Sequence, residues 1–217
     1  IEGWHLFEEA VQAGVTIEKI FALESYRDQL AAFPQTVWVS EEILRDLADT
    51  QTPQGIVAVI QKEEVGLPDF SQGKFLFLED VQDPGNVGTM IRTADAAGFT
   101  GVIVSDKSAD IYSLKTLRSM QGSHFHLPIY RMSLTSFVEE AKKSNLPILA
   151  TTLSKESKDY RELSPLENFA LVMGNEGQGI SSVMAESADQ LVHIGMKGRA
   201  ESLNVAVAAG ILMFYFS

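Results

Sequence analysis

Arg92 is the residue whose setting most suggests chemistry. It lies in DPGNVGTMIRTADAAGF, Asp83 to Phe99, where a turn rich in Gly, Pro and Asn precedes apolar residues at helical spacing. A guanidinium beside the core-facing side of a helix can bind a phosphate through two parallel hydrogen bonds, or face a developing alkoxide. Gly88, one turn earlier, then suggests clearance for a substrate. The alternative is an exposed ion pair between Arg92 and Asp95, which would contribute only about 0.3–0.5 kcal/mol.

Two other loops combine small and polar residues in a similar way. MGNEGQGIS, residues 173–181, has three glycines but neither the dinucleotide fingerprint nor the Gly-Lys-Ser/Thr of a phosphate loop. It reads equally well as a tight turn and as a place where main chain approaches a ligand. IGMKGRAESLNVAVAAGI, residues 194–211, carries Ser202 and Asn204 at the head of an apolar helix. Ser202 alone would be explained as an N-cap, whereas the amide of Asn204 needs partners inside such a helix.

Alternating strands and helices place these loops at one edge of a sheet. Six short apolar runs are separated by helical patterns, which predicts a parallel sheet covered on both faces. The predicted strands are residues 75–78, 101–104, 127–130, 147–153, 169–174 and 190–195. Ligands of such sheets bind at the carboxyl ends of the strands. This rule points to three loops, 79–89, 174–179 and 196–202, which follow the predicted strands 75–78, 169–174 and 190–195.

The preceding part of the chain predicts a smaller α/β unit. A helix ending at Gly14, strands at 17–23 and 36–40, a helix capped by Ser40 and a third strand at 55–62 follow one another. We divide the chain into residues 1–65, a linker at 66–73 and a larger domain at 74–217. The first residue is not Met and the last lies within an apolar run, so we expect the natural chain to extend beyond both ends. That apolar run, Val205 to Phe216, is too short to cross a membrane and predicts a helix packed on all sides.

Charge and cysteine content narrow the chemistry. The net charge of the 217 residues is −12, of which −8 falls in residues 1–68, so RNA would have to meet a local basic surface. Most of the lysines read as scattered solvated charges. The candidate cations are Arg92, Lys107, Lys115, Arg118, Arg131, Lys197 and Arg199. The chain has no cysteine, which excludes disulfides, thiolate metal sites and a cysteine nucleophile, and suits a reducing cytoplasm. The spacing of the four histidines does not indicate a metal site.

Taken together, the three loops resemble the motifs of the SpoU family of RNA ribose-2′-O-methyltransferases, which have the trefoil-knotted SPOUT fold. The first motif, Asn-x-Gly-x-x-x-Arg-Thr-Ala, appears at residues 86–94, and the second, Gly-x-Glu-x-x-Gly, at residues 174–179. The third, Ser-Leu-Asn-Val before a helix of small residues, appears at 202–205, and the resemblance covers residues 75–216. The N-terminal part is similar to the RNA substrate-binding domain that many members carry.

This resemblance implies a cofactor and roles for particular residues. The cofactor is S-adenosylmethionine (AdoMet), held mostly by main-chain groups, and no metal is needed. The implied cofactor-binding residues are Gly174, Ile194, Leu203, Thr152, Asn175, Gly177 and Met196. The implied catalytic and substrate-positioning residues are Arg92, Asn86, Glu176, Ser202 and Asn204. The resemblance further implies a homodimer with the last helix near the interface, both subunits contributing to RNA binding, and no association with membranes.

Two positions depart from the family pattern. Gly195 stands where members commonly have Pro. Proline would fix the loop, so we expect glycine to make the cofactor site around Ile194 and Met196 more mobile. Ala206 replaces a frequent Ser. Neither change removes a reacting group, so activity is expected.

The expected reaction is methyl transfer to a ribose 2′-hydroxyl of RNA. A guanidinium keeps its proton at ordinary pH, so Arg92 is interpreted as holding the target phosphate and hydroxyl rather than as a general base. Methylation of C5 of a pyrimidine is disfavoured because that chemistry normally needs a cysteine. The two-domain layout favours ribosomal RNA over transfer RNA. The alternatives are transfer RNA as the substrate, a catalytically inactive RNA-binding protein of the same fold, and a nucleotide-dependent enzyme, for which a phosphate fingerprint is missing.

Overall fold

The computed structural model describes residues 1–50, 52–62 and 65–217 and contains two sheets. The smaller sheet has the order β2-β1-β3, with β1 (Ile17–Leu23) parallel to β2 (Thr36–Val39) and antiparallel to β3 (Ile56–Ile60). Helices α1 (Trp4–Gln12) and α2 (Glu41–Leu47) belong to this part. Ser40 Oγ caps α2 by accepting a hydrogen bond from the N–H of Ile43, as predicted.

The larger sheet has seven strands in the order β6-β5-β4-β9-β7-β10-β8, and all its pairings are parallel. Its strands are β4 (Lys74–Leu78), β5 (Gly101–Val104), β6 (Ile129–Arg131), β7 (Ile148–Thr151), β8 (Lys158–Asp159), β9 (Phe169–Met173) and β10 (Gln190–His193). All six predicted strands are present, although β6, β7, β9 and β10 are shorter than predicted. Strand β8 was missed because two polar residues carry no apolar pattern.

Five helices cover this sheet. They are α3 (Pro84–Ala96), α4 (Leu114–Met120), α5 (Leu134–Lys143), α6 (Ser182–Ser187) and α7 (Val205–Phe216). One core cluster, which includes Met90, Leu171 and Phe216, fills the face under α3, α4 and α7, and a second, around Phe77 and Phe137, fills the opposite face. Both faces of the central strands β4, β5 and β9 are therefore buried, as their continuous apolar runs require.

Two helices differ from the sequence prediction. Helix α7 is not packed on all sides: Val207, Ile211 and Phe214 lie along one side with 53%, 37% and 58% exposure. The opposite side is buried, so the helix has an apolar face open to solvent. A short 3-10 helix before β6, Ser123–Phe125, was not predicted, and it contains His124.

Candidate active site at the carboxyl edge of the parallel sheet

The three predicted loops follow strands β4, β9 and β10, which end at the same edge of the sheet. Side chains from all three loops are connected there by direct hydrogen bonds. Glu176, in the loop after β9, accepts hydrogen bonds from the N–H groups of Gln82 (3.2 Å) and Asp83 (3.0 Å), in the loop after β4. It also accepts one from Nδ2 of Asn86, at 3.1 Å. One carboxylate thus fixes the start of α3 relative to the glycine-rich loop.

Asn204 extends this connection to the third loop. Its Nδ2 donates to Oδ1 of Asn86 at 3.1 Å, while its Oδ1 accepts from the N–H groups of Ala206 (2.9 Å) and Val207 (3.2 Å). Helix α7 begins at Val205, so Asn204 is its N-cap rather than a residue inside the helix. The alternative of Ser202 as the N-cap is therefore wrong, and Ser202 lies exposed in the loop.

The charge state of Glu176 follows from its donors. Partial burial acts to raise its pKa, but the hydrogen bonds from Asp83, Asn86 and Gln82 outweigh burial and lower the pKa below its usual value. Glu176 is thus a carboxylate at neutral pH with its oxygens already occupied by donors. It is suited to holding the first two motifs together, and poorly suited to taking a proton from a hydroxyl group.

The glycine-rich loop is itself tightly built. A Cβ on Gly174 would lie 2.3 Å from the carbonyl carbon of Gly179, so only glycine fits at this position. Asn175 Oδ1 accepts from the N–H groups of Gly177 (2.9 Å) and Gln178 (3.0 Å), and its Nδ2 donates to the carbonyl of Asp80 (2.9 Å). The side chain of Asn175 therefore shapes the loop, which leaves main-chain groups to meet a ligand.

The third loop offers free main-chain groups. Between Met196 and Leu203 no main-chain hydrogen bond is found to any residue that the structure describes. Ile194 follows β10, and Thr152 follows the neighbouring strand β7, with the Thr152 N–H donating to the carbonyl of Val192 at 3.0 Å. Free N–H and C=O groups beside half-buried Ile194 and Met196 fit AdoMet, the implied cofactor, which is held mostly by main-chain groups. When bound, AdoMet would supply an electrophilic methyl group.

Arg92 does not take part in the hydrogen bonds that join Glu176, Asn86 and Asn204. Its side chain is exposed and forms neither a hydrogen bond nor an ion pair with any part of the chain that the structure describes. The alternative pair with Asp95 is wrong, since Asp95 Oδ2 lies 3.5 Å from Nδ1 of His126 instead. Arg92 is thus a solvent-facing guanidinium on the helix that begins with Asn86 of the connected group.

The predicted role of Gly88 is also wrong. Gly88 is buried, and a Cβ there would lie 2.5 Å from Cβ of Ser119 and 2.6 Å from the carbonyl oxygen of Thr116. The missing side chain lets α3 approach α4 closely; it does not make room for a substrate beneath Arg92.

Most of the candidate cations have structural partners. Arg118 forms ion pairs with Asp49 (3.0 Å) and Glu2 (3.6 Å) and so connects the larger sheet's part of the chain with the N-terminal part. Arg131 donates to main-chain carbonyls, among them that of Ser105 (2.9 Å). Lys115 pairs with Asp83 and Lys107 with Asp80. Within the described ranges only Arg92, Lys197 and Arg199 of the seven form no ion pair or hydrogen bond through their side chains. Of the seven candidates, these three therefore have side chains free to contact a phosphate.

Two residues of the site were missed from the sequence. Asp83 caps α3 by accepting a hydrogen bond from the N–H of Asn86 at 2.9 Å. Nζ of Lys115 also donates to this carboxylate at 2.9 Å, and this hydrogen bond is the main reason why the pKa of Asp83 is below its usual value. Glu79, only 4% exposed, accepts from the N–H of Ser181 at 3.1 Å and so fixes the end of the glycine-rich loop. An Asp directly before Pro is a helix-start signal that could have revealed Asp83.

Among the residues that the structure describes, no group of three or more His, Asp or Glu side chains is placed to hold a metal ion. No described helix is long and apolar enough to span a bilayer.

Comparison with known proteins decides the family. A model of the SpoU rRNA Methylase family matches residues 73–214, and a model of the MRM3-like substrate binding domain matches residues 1–58. This chain belongs to the SpoU family. The predicted family and the α/β SPOUT fold class, with its small N-terminal domain, are thereby confirmed.

Individual SpoU relatives are similar over nearly the whole chain. The 23S rRNA (guanosine(2553)-2′-O)-methyltransferase RlmP of Bacillus subtilis is 42% identical, over 99% of this chain and 86% of its own length. An AdoMet-bound rRNA methyltransferase from Sinorhizobium meliloti has a TM-score of 0.88 at 32% identity, covering 99% of this chain and 85% of that one. The SpoU methyltransferase AviRb from Streptomyces viridochromogenes, in complex with AdoMet, has a TM-score of 0.84 at 28% identity, covering 99% and 87%.

These findings also confirm the predicted enzyme class and cofactor. As a SpoU family member, the chain is an AdoMet-dependent RNA methyltransferase.

Proposed function

We propose that this SpoU enzyme transfers a methyl group from AdoMet to a ribose 2′-hydroxyl of ribosomal RNA, with 23S rRNA as the first candidate. The chain of hydrogen bonds from Glu176 through Asn86 to Asn204 carries the proposal, because it joins the three motifs into one site. The substrate class is supported by similarity to RlmP over 99% of the chain. We also propose that the enzyme is cytoplasmic, because its proposed substrate is ribosomal RNA.

Each part of the site has a proposed task. Gly174, Ile194 and Leu203, with Thr152, Asn175, Gly177 and Met196, hold AdoMet at the carboxyl edge of the sheet. Arg92 is free to bind the phosphate beside the target ribose and to stabilise negative charge that develops on the attacking oxygen. Positioning the hydroxyl in line with the methyl group supplies much of the rate enhancement in such a displacement. Ser202, exposed in the third loop, is proposed to contact the substrate.

The domain division at 1–65, 66–73 and 74–217 is part of the same proposal. The first segment binds RNA around the target nucleotide and the last carries out the transfer. Arg118 holds the two together through Asp49 and Glu2, at 3.0 and 3.6 Å. Because residues 1–68 carry a net charge of −8, we expect shape and hydrogen bonding to contribute more to RNA recognition there than non-specific attraction.

We also propose that the enzyme is a homodimer that associates through α7. Val207, Ile211 and Phe214 present an apolar face next to the third loop, and an exposed apolar face of this kind commonly marks a protein interface. Light scattering at increasing protein concentration tests this: wild type should have the mass of a dimer, and Phe214→Asp should shift it towards monomer. A wild-type monomer at all concentrations would contradict the dimer.

Labelled AdoMet and purified enzyme test the substrate directly. Ribosomal RNA and transfer RNA are supplied in parallel, and the product is digested to nucleosides and identified by mass spectrometry. We expect a 2′-O-methylated nucleoside from ribosomal RNA. A methylated base, or transfer RNA as the only acceptor, would contradict the proposal, and binding of RNA without transfer would favour the inactive RNA-binding alternative.

A further inference from the structure

Strand β8, beside the strand that leads into the third loop, carries the carboxylate of Asp159 close to Gly195. Strand β8 pairs in parallel with β10, and Asp159 lies opposite His193, two residues before Gly195. Arg161 binds both oxygens of this carboxylate: its Nε donates to Oδ1 and its NH2 group to Oδ2, each at 2.7 Å. The N–H of Arg161 adds a third hydrogen bond at 3.1 Å. A two-point guanidinium–carboxylate pair fixes the orientation of both groups.

This carboxylate occupies the space where residue 195 would carry a side chain. A Cβ on Gly195 would lie 2.7 Å from Oδ2 of Asp159, well inside van der Waals contact. If the oxygen moves away, Arg161 has to move with it to keep their 2.7 Å hydrogen bond. The hydrogen bonds from Arg161 are also the main cause that lowers the pKa of Asp159, and the N–H of Gly195 contributes to this lowering more weakly. Asp159 is therefore ionised at neutral pH, and its carboxylate lies directly against Gly195.

We infer that Asp159, oriented by Arg161, is a positioning residue that fixes the main chain of Gly195 and thereby the cofactor loop on either side of it. The inference rests on the proposed function, in which Ile194 and Met196, the two neighbours of Gly195, hold AdoMet. It reverses the expectation that glycine makes this loop more mobile. In this chain the restraint comes from a carboxylate on the adjacent strand, and residue 195 is glycine because that carboxylate takes the space.

A double-mutant cycle on AdoMet affinity separates this coupling from independent effects. The Kd for AdoMet is measured by calorimetry for wild type, Gly195→Ala, Asp159→Ala and the double variant. Gly195→Ala should weaken binding about tenfold, or about 1.4 kcal/mol, because the new methyl group meets Asp159. Asp159→Ala should weaken binding about threefold through loss of the restraint. The double variant should bind no more weakly than Asp159→Ala, because the clash is gone.

Gly66→Ala is the matched control outside the proposed cofactor site. A Cβ at Gly66 meets nothing within 4 Å, so this variant should bind AdoMet like wild type. The inference is overturned if Gly195→Ala binds like wild type, or if the losses of the two single variants multiply in the double variant.

Kinetics distinguish a positioning role from a purely structural one. For Asp159→Ala the KM for AdoMet should rise while kcat at saturating AdoMet stays near that of wild type. A lowered Tm with unchanged Kd and KM would mean that Asp159 supports only the fold, which overturns the inference. Because the cycle reports AdoMet affinity alone, it can fail while wild type still methylates ribosomal RNA, so its failure is distinguishable from failure of the proposed function.

Discussion

The amide group of Asn204 donates a hydrogen bond to the amide oxygen of Asn86 at 3.1 Å, across 118 residues of sequence. The same Asn204 caps α7 with its oxygen, so one side chain both starts the last helix and joins it to the first motif. The two tasks use different atoms of the amide and can therefore be separated by mutation.

Asn204→Asp should retain stability and lose activity. A carboxylate still caps α7, so the free energy of unfolding should stay within about 0.5 kcal/mol of wild type. The donor to Asn86 is lost, and methyl transfer should fall. Asn204→Ala removes both functions and should also cost about 1 kcal/mol of stability. Thermal unfolding and initial rates measure the two effects; an Asp variant with wild-type activity would show that the bond to Asn86 is dispensable.

Glu176→Gln should disconnect the first two motifs. The three donors are divided between the two carboxylate oxygens, and glutamine replaces one of these acceptors with an NH2 group. At least one donor then faces another donor, so the start of α3 should shift and kcat/KM should fall about 10–100-fold. The pKa of Glu176 is lowered in the folded protein, so its contribution to stability is present above its usual value of 4.5 and is lost as the pH falls through the lowered pKa. Unfolding measured from pH 7 to pH 3 should show the wild type and Glu176→Gln converging only at the acid end. A difference in stability that vanishes already near pH 6 would contradict this charge state.

Gly88→Ala should destabilise the fold. The added methyl group overlaps Ser119 and Thr116 on α4, and overpacking of this kind costs about 1–3 kcal/mol. Gly210→Ala, in α7, is a matched control. Its Cβ would lie 3.7 Å from Thr93 Cγ2, an ordinary contact, and alanine should stabilise that helix by up to about 1 kcal/mol. Chemical denaturation measures both variants, and a stable Gly88→Ala with impaired RNA binding would restore the substrate-clearance interpretation.

Arg92→Ala should abolish methyl transfer and leave AdoMet affinity nearly unchanged. Arg92 has no structural partner in the described part of the chain, so its removal should not disturb the fold. The loss of charge stabilisation should lower kcat about 100-fold or more. Arg92→Lys retains the charge but not the two-point geometry and should recover only part of the rate. Single-turnover rates and calorimetry give the two quantities. Substantial turnover by Arg92→Ala would refute the role.

The repeating part of the fold was predictable, whereas contacts between distant segments were not. Buried strands such as β4 and β9 follow from their unbroken apolar runs, and caps such as Ser40 from local sequence signals. The pairs Asp83–Lys115 and Asp159–Gly195 join residues far apart in the chain, and no local pattern indicates either. Gly88 was misread for the same reason: its helical spacing from Arg92 was visible, but the approach of α4 to its other side was not.

The start of α7 shows a related limit. The continuous apolar run from Val205 to Phe216 placed the helix correctly, but two polar residues before it, Ser202 and Asn204, are both of a type suited to its N-terminus. In the folded chain Asn204 caps the helix and also donates to Asn86, a distant contact that no local pattern indicates.

A crystal structure of the enzyme with bound AdoMet would test most directly whether the three loops seat the methyl donor near Arg92. The proposed arrangement predicts AdoMet between the glycine-rich loop at Gly174 and the third loop at Ile194 and Leu203, with its methyl group towards Arg92. AdoMet bound elsewhere, or with its methyl group facing away from Arg92 in the assembled enzyme, would contradict it.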